Sequence, residues 1–304
     1  MKPIKLRAVE LAAPRQQRNW DWRAAANFIC GGAGGGLLLA AAFSGLDAFA
    51  TRVAMLLGLA LIGGGLTCVW FEIGRPWRAM NVYRHFATSW MTREAVVALA
   101  VFASGALAVV TGSVVVTMVA GACGLAFLYS QARILGANKG IPAWRHPASV
   151  PLLVATGLAE GAGLLAAVAV AFGSGPGNSL LLLLLALIAL RAWCWRRYLA
   201  GLTATGAPAA ALEVLDALGP RFQAFGFVLP AVAIIALLAG LPGRSLAGLL
   251  AGMLAVASGW LLKYTLVRRA AYTQGLAVKH LPVRGRGPSG PAVQPGWKAM
   301  SGSR

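Results

Sequence analysis

Residues 72–94 read Glu72-Ile-Gly-Arg75-Pro-Trp77-Arg78-Ala-Met-Asn81-Val-Tyr83-Arg84-His85-Phe-Ala-Thr88-Ser89-Trp90-Met-Thr92-Arg93-Glu94. This loop is basic and aromatic, and apolar runs of about twenty residues flank it, at 52–73 and 94–113. At ~1.5 Å per residue such a run crosses the ~30 Å hydrocarbon layer of a bilayer. Working outward, the same signal recurs at about 24–43, 114–135, 150–172, 179–199, 223–241 and 246–267. The pattern predicts an all-α membrane protein with eight transmembrane helices, arranged as two four-helix bundles. Composition agrees, since 59% hydrophobic and 12% charged residues over 304 positions lie outside the range of a soluble domain.

Charge orients the bundle. Of 27 Lys and Arg residues, all but Arg52 and Arg244 fall in the N-terminal arm, in every second gap or the run ends that adjoin it, or beyond residue 262. Positive charge is retained on the cytoplasmic side during insertion. Both termini and the three long loops are therefore expected to be cytoplasmic. The chain divides into an arm (1–23), an eight-helix domain (24–267) and a basic, Pro- and Gly-rich tail (268–304). The arm is too long and too charged for a signal peptide, and the tail from Pro282 has a disordered composition. The net charge of +19 suits anionic lipid headgroups rather than nucleic acid, because no soluble basic module is present. All ten Trp residues lie on or near the basic side, which suggests interfacial anchoring and a protein partner on that face.

Cofactor chemistry is restricted by what the chain lacks. Cys30, Cys68, Cys123 and Cys194 stand singly in apolar runs without CxxC spacing, so no iron–sulfur cluster or zinc site is expected in this chain. His85, His146 and His280 fall outside the apolar runs, so the paired ligands of a membrane haem are missing. The glycine clusters at 31–36 and 63–65 suit close helix packing, or room for a flat ligand.

Among only eight acids, three matter. Glu72 closes the second run and Glu94 opens the third, at one membrane edge. One reading is structural: Thr92 caps the helix and Glu94 favours its positive end. The other is a quinone site, in which a carboxylate at the boundary of water and apolar volume exchanges protons beside Arg and His donors. Glu160 and Arg191 lie near mid-membrane, where an unpaired charge costs at least a few kcal/mol. They are expected to lie near one another, or Glu160 to be protonated.

Residues 73–81 (Ile-Gly-Arg-Pro-Trp-Arg-Ala-Met-Asn) and 88–94 (Thr-Ser-Trp-Met-Thr-Arg-Glu) resemble "LGxPxRAxN" and "TSWxSRE" of the membrane-anchor subunits of dimethyl sulfoxide reductase-type molybdoenzymes, with the broader polysulfide-reductase group behind them. Ala132-Arg133 followed by Ile141-Pro142-Ala143-Trp144 echoes a further segment. The resemblance implies a haem-free anchor that exchanges electrons with a quinone, menaquinone or ubiquinone. It further implies an iron–sulfur subunit of four ferredoxin-like clusters docked on it, a molybdopterin catalytic subunit beyond, and the bacterial inner membrane. It gives Glu94 a role in quinol chemistry. The family's His before "LGxP" is Glu72 here, and His85 is the candidate to substitute for it in space. Glu72 and Glu94 are thus the candidate catalytic residues, and Asn27, Arg75, Asn81, His85 and Tyr129 the candidate quinone contacts. The stretch 19–32 is also similar to anchors of phenylacetyl-CoA:acceptor oxidoreductases. Two other classes compete: a secondary transporter or ion channel using Glu160 and Arg191, and a purely structural tether.

Overall fold

The computed structural model describes residues 13–73, 81–83, 85–172, 175–278 and 293–297. Among these, eight helices are long and apolar enough to cross a membrane: α1 (Trp22–Ala42), α2 (Ala48–Glu72), α3 (Trp90–Thr111), α4 (Val114–Gly136), α5 (Ser149–Phe172), α6 (Asn178–Thr205), α7 (Ala209–Leu238) and α8 (Arg244–Arg269). The protein is an all-α membrane protein. Its helix starts carry polar caps at the ends of apolar runs. The Asp21 carboxylate accepts the Arg23 N–H at 2.7 Å and starts α1. Asp47 accepts from Phe49 and Ala50 at 2.8 and 2.9 Å and starts α2. Ser89, not Thr92, caps α3, its hydroxyl accepting the Thr92 N–H at 3.4 Å. The Thr92 side chain is committed elsewhere, donating to the Val82 carbonyl. Gly112, at φ 64°, closes α3 in a left-handed turn that a β-carbon disfavours.

Helices α1 and α5 are the most enclosed. α1 packs on α2, α4 and α5, and α5 packs on α6 and α8; α3 lies on α4, and α7 on α8. Glycine makes these approaches possible. Gly34 lies on the Gly58 carbonyl of α2, Gly35 on the Gly124 carbonyl of α4, and Gly36 on Gly157 of α5. A methyl at Gly36 would stand 2.0 Å from the Gly157 oxygen. In lipid, where burial from water no longer drives association, such backbone contact supplies the dispersion energy that holds helices together. The 63–65 cluster behaves differently: Gly65 abuts Asn27, whereas Gly64 faces open space. α2 and α3 touch sparsely, and a groove remains between them.

At the basic end, arm and tail are tied together. Gln17 N–H donates to the Ala271 carbonyl and Thr273 N–H to the Arg15 carbonyl, both at 2.8 Å. The Gln17 amide donates to Trp20 and Val267 carbonyls at 2.8 and 3.1 Å. Residues 293–297 are fixed against the body through Val278, Gln274 and Ala209, so this part of the tail is ordered, against the compositional expectation. The rest of that expectation, with Arg75, Arg78, Arg84 and His280, lies outside the described residues. Two tryptophans depart from the interfacial pattern: Trp144 and Trp195 are buried, and Trp144 donates to the Leu266 carbonyl at 2.7 Å.

Candidate functional site

The groove between α2 and α3 lies toward the basic end, where Val82 and Tyr83 of the loop line it, and encloses about 280 Å³. Its walls are apolar and aromatic, with Trp70, Tyr83, Met91, Leu99 and Phe102 among them, and one carboxyl group, Glu94, lies in its lining. Glu94 is the fifth residue of α3, one turn below the Ser89 cap, and is 7% exposed. The loop above is tied down by the motif that precedes it. Thr92 holds the Val82 carbonyl, and the Arg93 guanidinium donates to the Phe86 and Ala87 carbonyls at 3.0 and 2.7 Å. Trp90 is flanked by cations, with Arg93 at 4.3 Å and Arg133 at 4.7 Å from its ring.

Two amides stand behind Glu94. Asn27 of α1 donates from Nδ2 to the Glu94 carboxylate at 3.5 Å, and the Gln131 amide of α4 donates to the main-chain carbonyl of Asn27 at 3.1 Å. Asn27 Oδ1 and Gln131 Oε1 are buried and have no hydrogen-bond partner among the described residues. Three helices thus bring polar side chains to one buried point beside an apolar groove. Asn27 was a candidate from sequence; Gln131 was not. Its signal was present, as a single amide inside the 114–135 apolar run.

The other candidates are placed apart. Glu72 accepts the Asp21 N–H at 3.4 Å at the junction of α1 and α2. Arg23 joins that junction, 2.8 Å from the Asp21 carboxylate and 2.6 Å from the Phe71 carbonyl. The Arg23 hydrogen bond holds the Asp21 carboxyl below the usual carboxylate range. Tyr129 lies on the α4 side, edge-on to Trp90 and bonded to Arg133 at 3.2 Å, and does not line the groove. Asn81 and His85 are exposed in the short helical turn above the groove, and Arg75 lies outside the described residues. Among the described residues no group of three or more His, Cys, Asp or Glu side chains could hold a metal ion.

Deeper in the bundle a second polar cluster holds Glu160 near Arg191, as expected, and adds a direct partner that the sequence reading missed. The direct partner of Glu160 is Lys263 of α8, 2.5 Å away, both being buried. The sequence reading counted Lys263 only among the cations beyond residue 262; it lies inside the last helix, as the 246–267 run implied, but buried. Arg191 neighbours Glu160 electrostatically but bonds to backbone, donating to the Ala255 and Gly226 carbonyls at 2.8 and 2.5 Å. The Gly226 carbonyl belongs to a wide turn in α7, Ala224–Val228, where the i→i+5 pattern accompanies the acceptor role. Phe222 and Phe227 flank the guanidinium at 5.4 Å.

A family model described as DMSO reductase anchor subunit matches residues 37–258. The match covers more than half of the chain, which therefore belongs to that family: it is a membrane-anchor subunit of a DMSO reductase-type redox complex. No curated protein matches the sequence.

Proposed function

We propose that this member of the DMSO reductase anchor family passes electrons between a membrane quinone, menaquinone or ubiquinone, and a docked iron–sulfur subunit, with proton exchange at Glu94. The observation that carries this reading is the single buried carboxyl in an apolar groove that opens between two membrane helices. Aromatic and aliphatic walls suit a flat ring with an isoprenoid tail, and the Asn27 amide beside Glu94 suits a ring carbonyl. A quinone supplies two-electron chemistry coupled to two protons. The chain's own work is to hold the ring against Glu94, exclude bulk water with Met91, Leu99 and Phe102, and accept or donate a proton at the Glu94 carboxylate. Asn27 and Gln131 fix the orientation of that carboxylate.

The basic end would then face the cytoplasm of a bacterial inner membrane, with both termini there. The same face, with its loops and pinned arm and tail, suits the docking of a four-cluster ferredoxin-like subunit that leads to a molybdopterin subunit. The transporter alternative drew on Glu160 and Arg191, which Lys263 and backbone carbonyls hold within the bundle.

Glu94→Gln tests the reading against that of a passive tether. The complex should assemble on the membrane while quinol-linked turnover falls by about a hundredfold or more. Undiminished turnover overturns the role of Glu94.

A further inference from the structure

Four of the buried polar atoms that lack a partner among the described residues belong to one succession of side chains: Asn27 Oδ1, Gln131 Oε1, Glu160 Oε1 and Arg191 Nε. Buried polar atoms of this kind are ordinarily satisfied by ordered water. From Glu94 the succession runs to Asn27 and Gln131, then across α1 to Lys263 and Glu160. Its crossing point is glycine. A methyl at Gly31 would meet Gln131 Nε2 at 2.3 Å, and one at Gly32 would meet Lys263 Nζ at 2.4 Å. Gly31 and Gly32 are consecutive, so amide and ammonium lie against neighbouring positions of one helix. Roughly one to three water molecules would bridge them. Lys263 also reaches the Ile29 carbonyl at 3.5 Å, within the same stretch of α1. Leu128 supplies the apolar side chain at the gap, its Cδ1 3.4 Å from the Gly32 position.

We propose that a file of water joins Glu94 to the Glu160–Lys263 pair and exchanges a proton between the two carboxyl groups. The inference rests on Glu94 as the proton exchanger of the groove. In the step, the O–H bond of a Glu94 carboxylic acid breaks, the proton passes along the water file, and an O–H bond forms on the Glu160 carboxylate; no electron moves. The ionisable groups facing Glu160 are Lys263 from α8, Arg191 from α6 and the Cys30 thiol from α1. Among the described residues the core on the opposite side is aliphatic, with Leu37, Leu38, Leu165 and Ile188. The file is thus a branch ending near mid-bilayer, which stores a proton rather than conducting it across.

The test is infrared difference spectroscopy of the full-length chain in lipid after a pH jump, which needs no quinone. The carboxylic C=O band of Glu160 is identified by its shift in Glu160→Asp. Gln131→Leu should slow the appearance of that band by about tenfold or more, Gln131→Asn should leave its rate close to native, and Leu128→Ala should quicken it. An unchanged rate in Gln131→Leu, or no Glu160 band at any pH, overturns the file. Should Gln131→Leu fail to fold, Leu128→Ala decides, and a rate no faster than native overturns the proposal. Slowed exchange in Gln131→Leu with undiminished turnover in Glu94→Gln removes the quinone role and keeps the file. The converse pair of results removes the file and keeps the quinone site.

Discussion

Glu160 and Lys263 show how much a single buried charge depends on its neighbour. Each is fully enclosed, and each answers the other at 2.5 Å. Glu160→Gln should destabilise the protein by about 3–5 kcal/mol where Glu160 is ionised, because the ammonium is left alone in a low-dielectric interior, and by less where Glu160 carries its proton. The double change Glu160→Leu with Lys263→Leu should recover most of that loss. Thermal unfolding in detergent measures both, and a single variant as stable as the native chain would contradict the pairing. His146 offers a pH-dependent counterpart near the start of α5. Burial pushes its imidazole below the ordinary histidine range, so the fold favours the neutral ring. Its contribution is present above the unfolded value of about 6.5 and is lost as pH falls through the lower folded value. The native unfolding temperature should therefore drop more steeply below about pH 6.5 than that of His146→Gln.

Helix contacts in this bundle are set by which glycines face a backbone. Gly161 and Gly64 make a direct comparison. A methyl on Gly161 would stand 2.0 Å from the Gly36 carbonyl carbon, whereas Gly64 meets nothing within 4 Å. Gly161→Ala should part α1 from α5 and cost about 1–3 kcal/mol, while Gly64→Ala should be neutral or slightly stabilising. Unfolding midpoints of the two variants compare the cases. The helices themselves were legible from apolar length and alternating charge, but their ends were not. α3 begins at Trp90 rather than 94, and α2 at Ala48 rather than 52, because Ser89 and Asp47 caps extend each helix past its apolar run. α7 begins at Ala209 rather than 223, since Glu213, Asp216, Arg221 and an internal Pro220 conceal its first turns from a hydropathy reading. The site was legible in part. Glu94 and Asn27 lie together, whereas Lys263 was hidden by counting it with the orienting cations of the basic side, and Gln131 by a long apolar context.

Across the whole molecule, the described parts of the arm and the tail meet on the basic side. Gln17 is the pin, engaging Trp20 through its N–H and carbonyl and the Val267 carbonyl through its amide. Gln17→Ala should free the arm and raise the rate of trypsin cleavage after Arg18 several-fold, with the helices unaffected. Limited proteolysis followed by mass spectrometry reads the outcome, and equal cleavage would show that other contacts hold the arm.

The α2–α3 groove also governs how a molecule gets in. Leu99, Met91 and Trp70, which line it, are exposed on the flanks of two helices long and apolar enough to cross a membrane. A quinone held there as proposed would arrive by sideways diffusion within the leaflet, its head turned inward and its tail left among the lipids. Occupancy then follows mole fraction in the bilayer. Adding bare lipid vesicles should weaken apparent binding of a tailed compound by simple surface dilution, with no change in the protein.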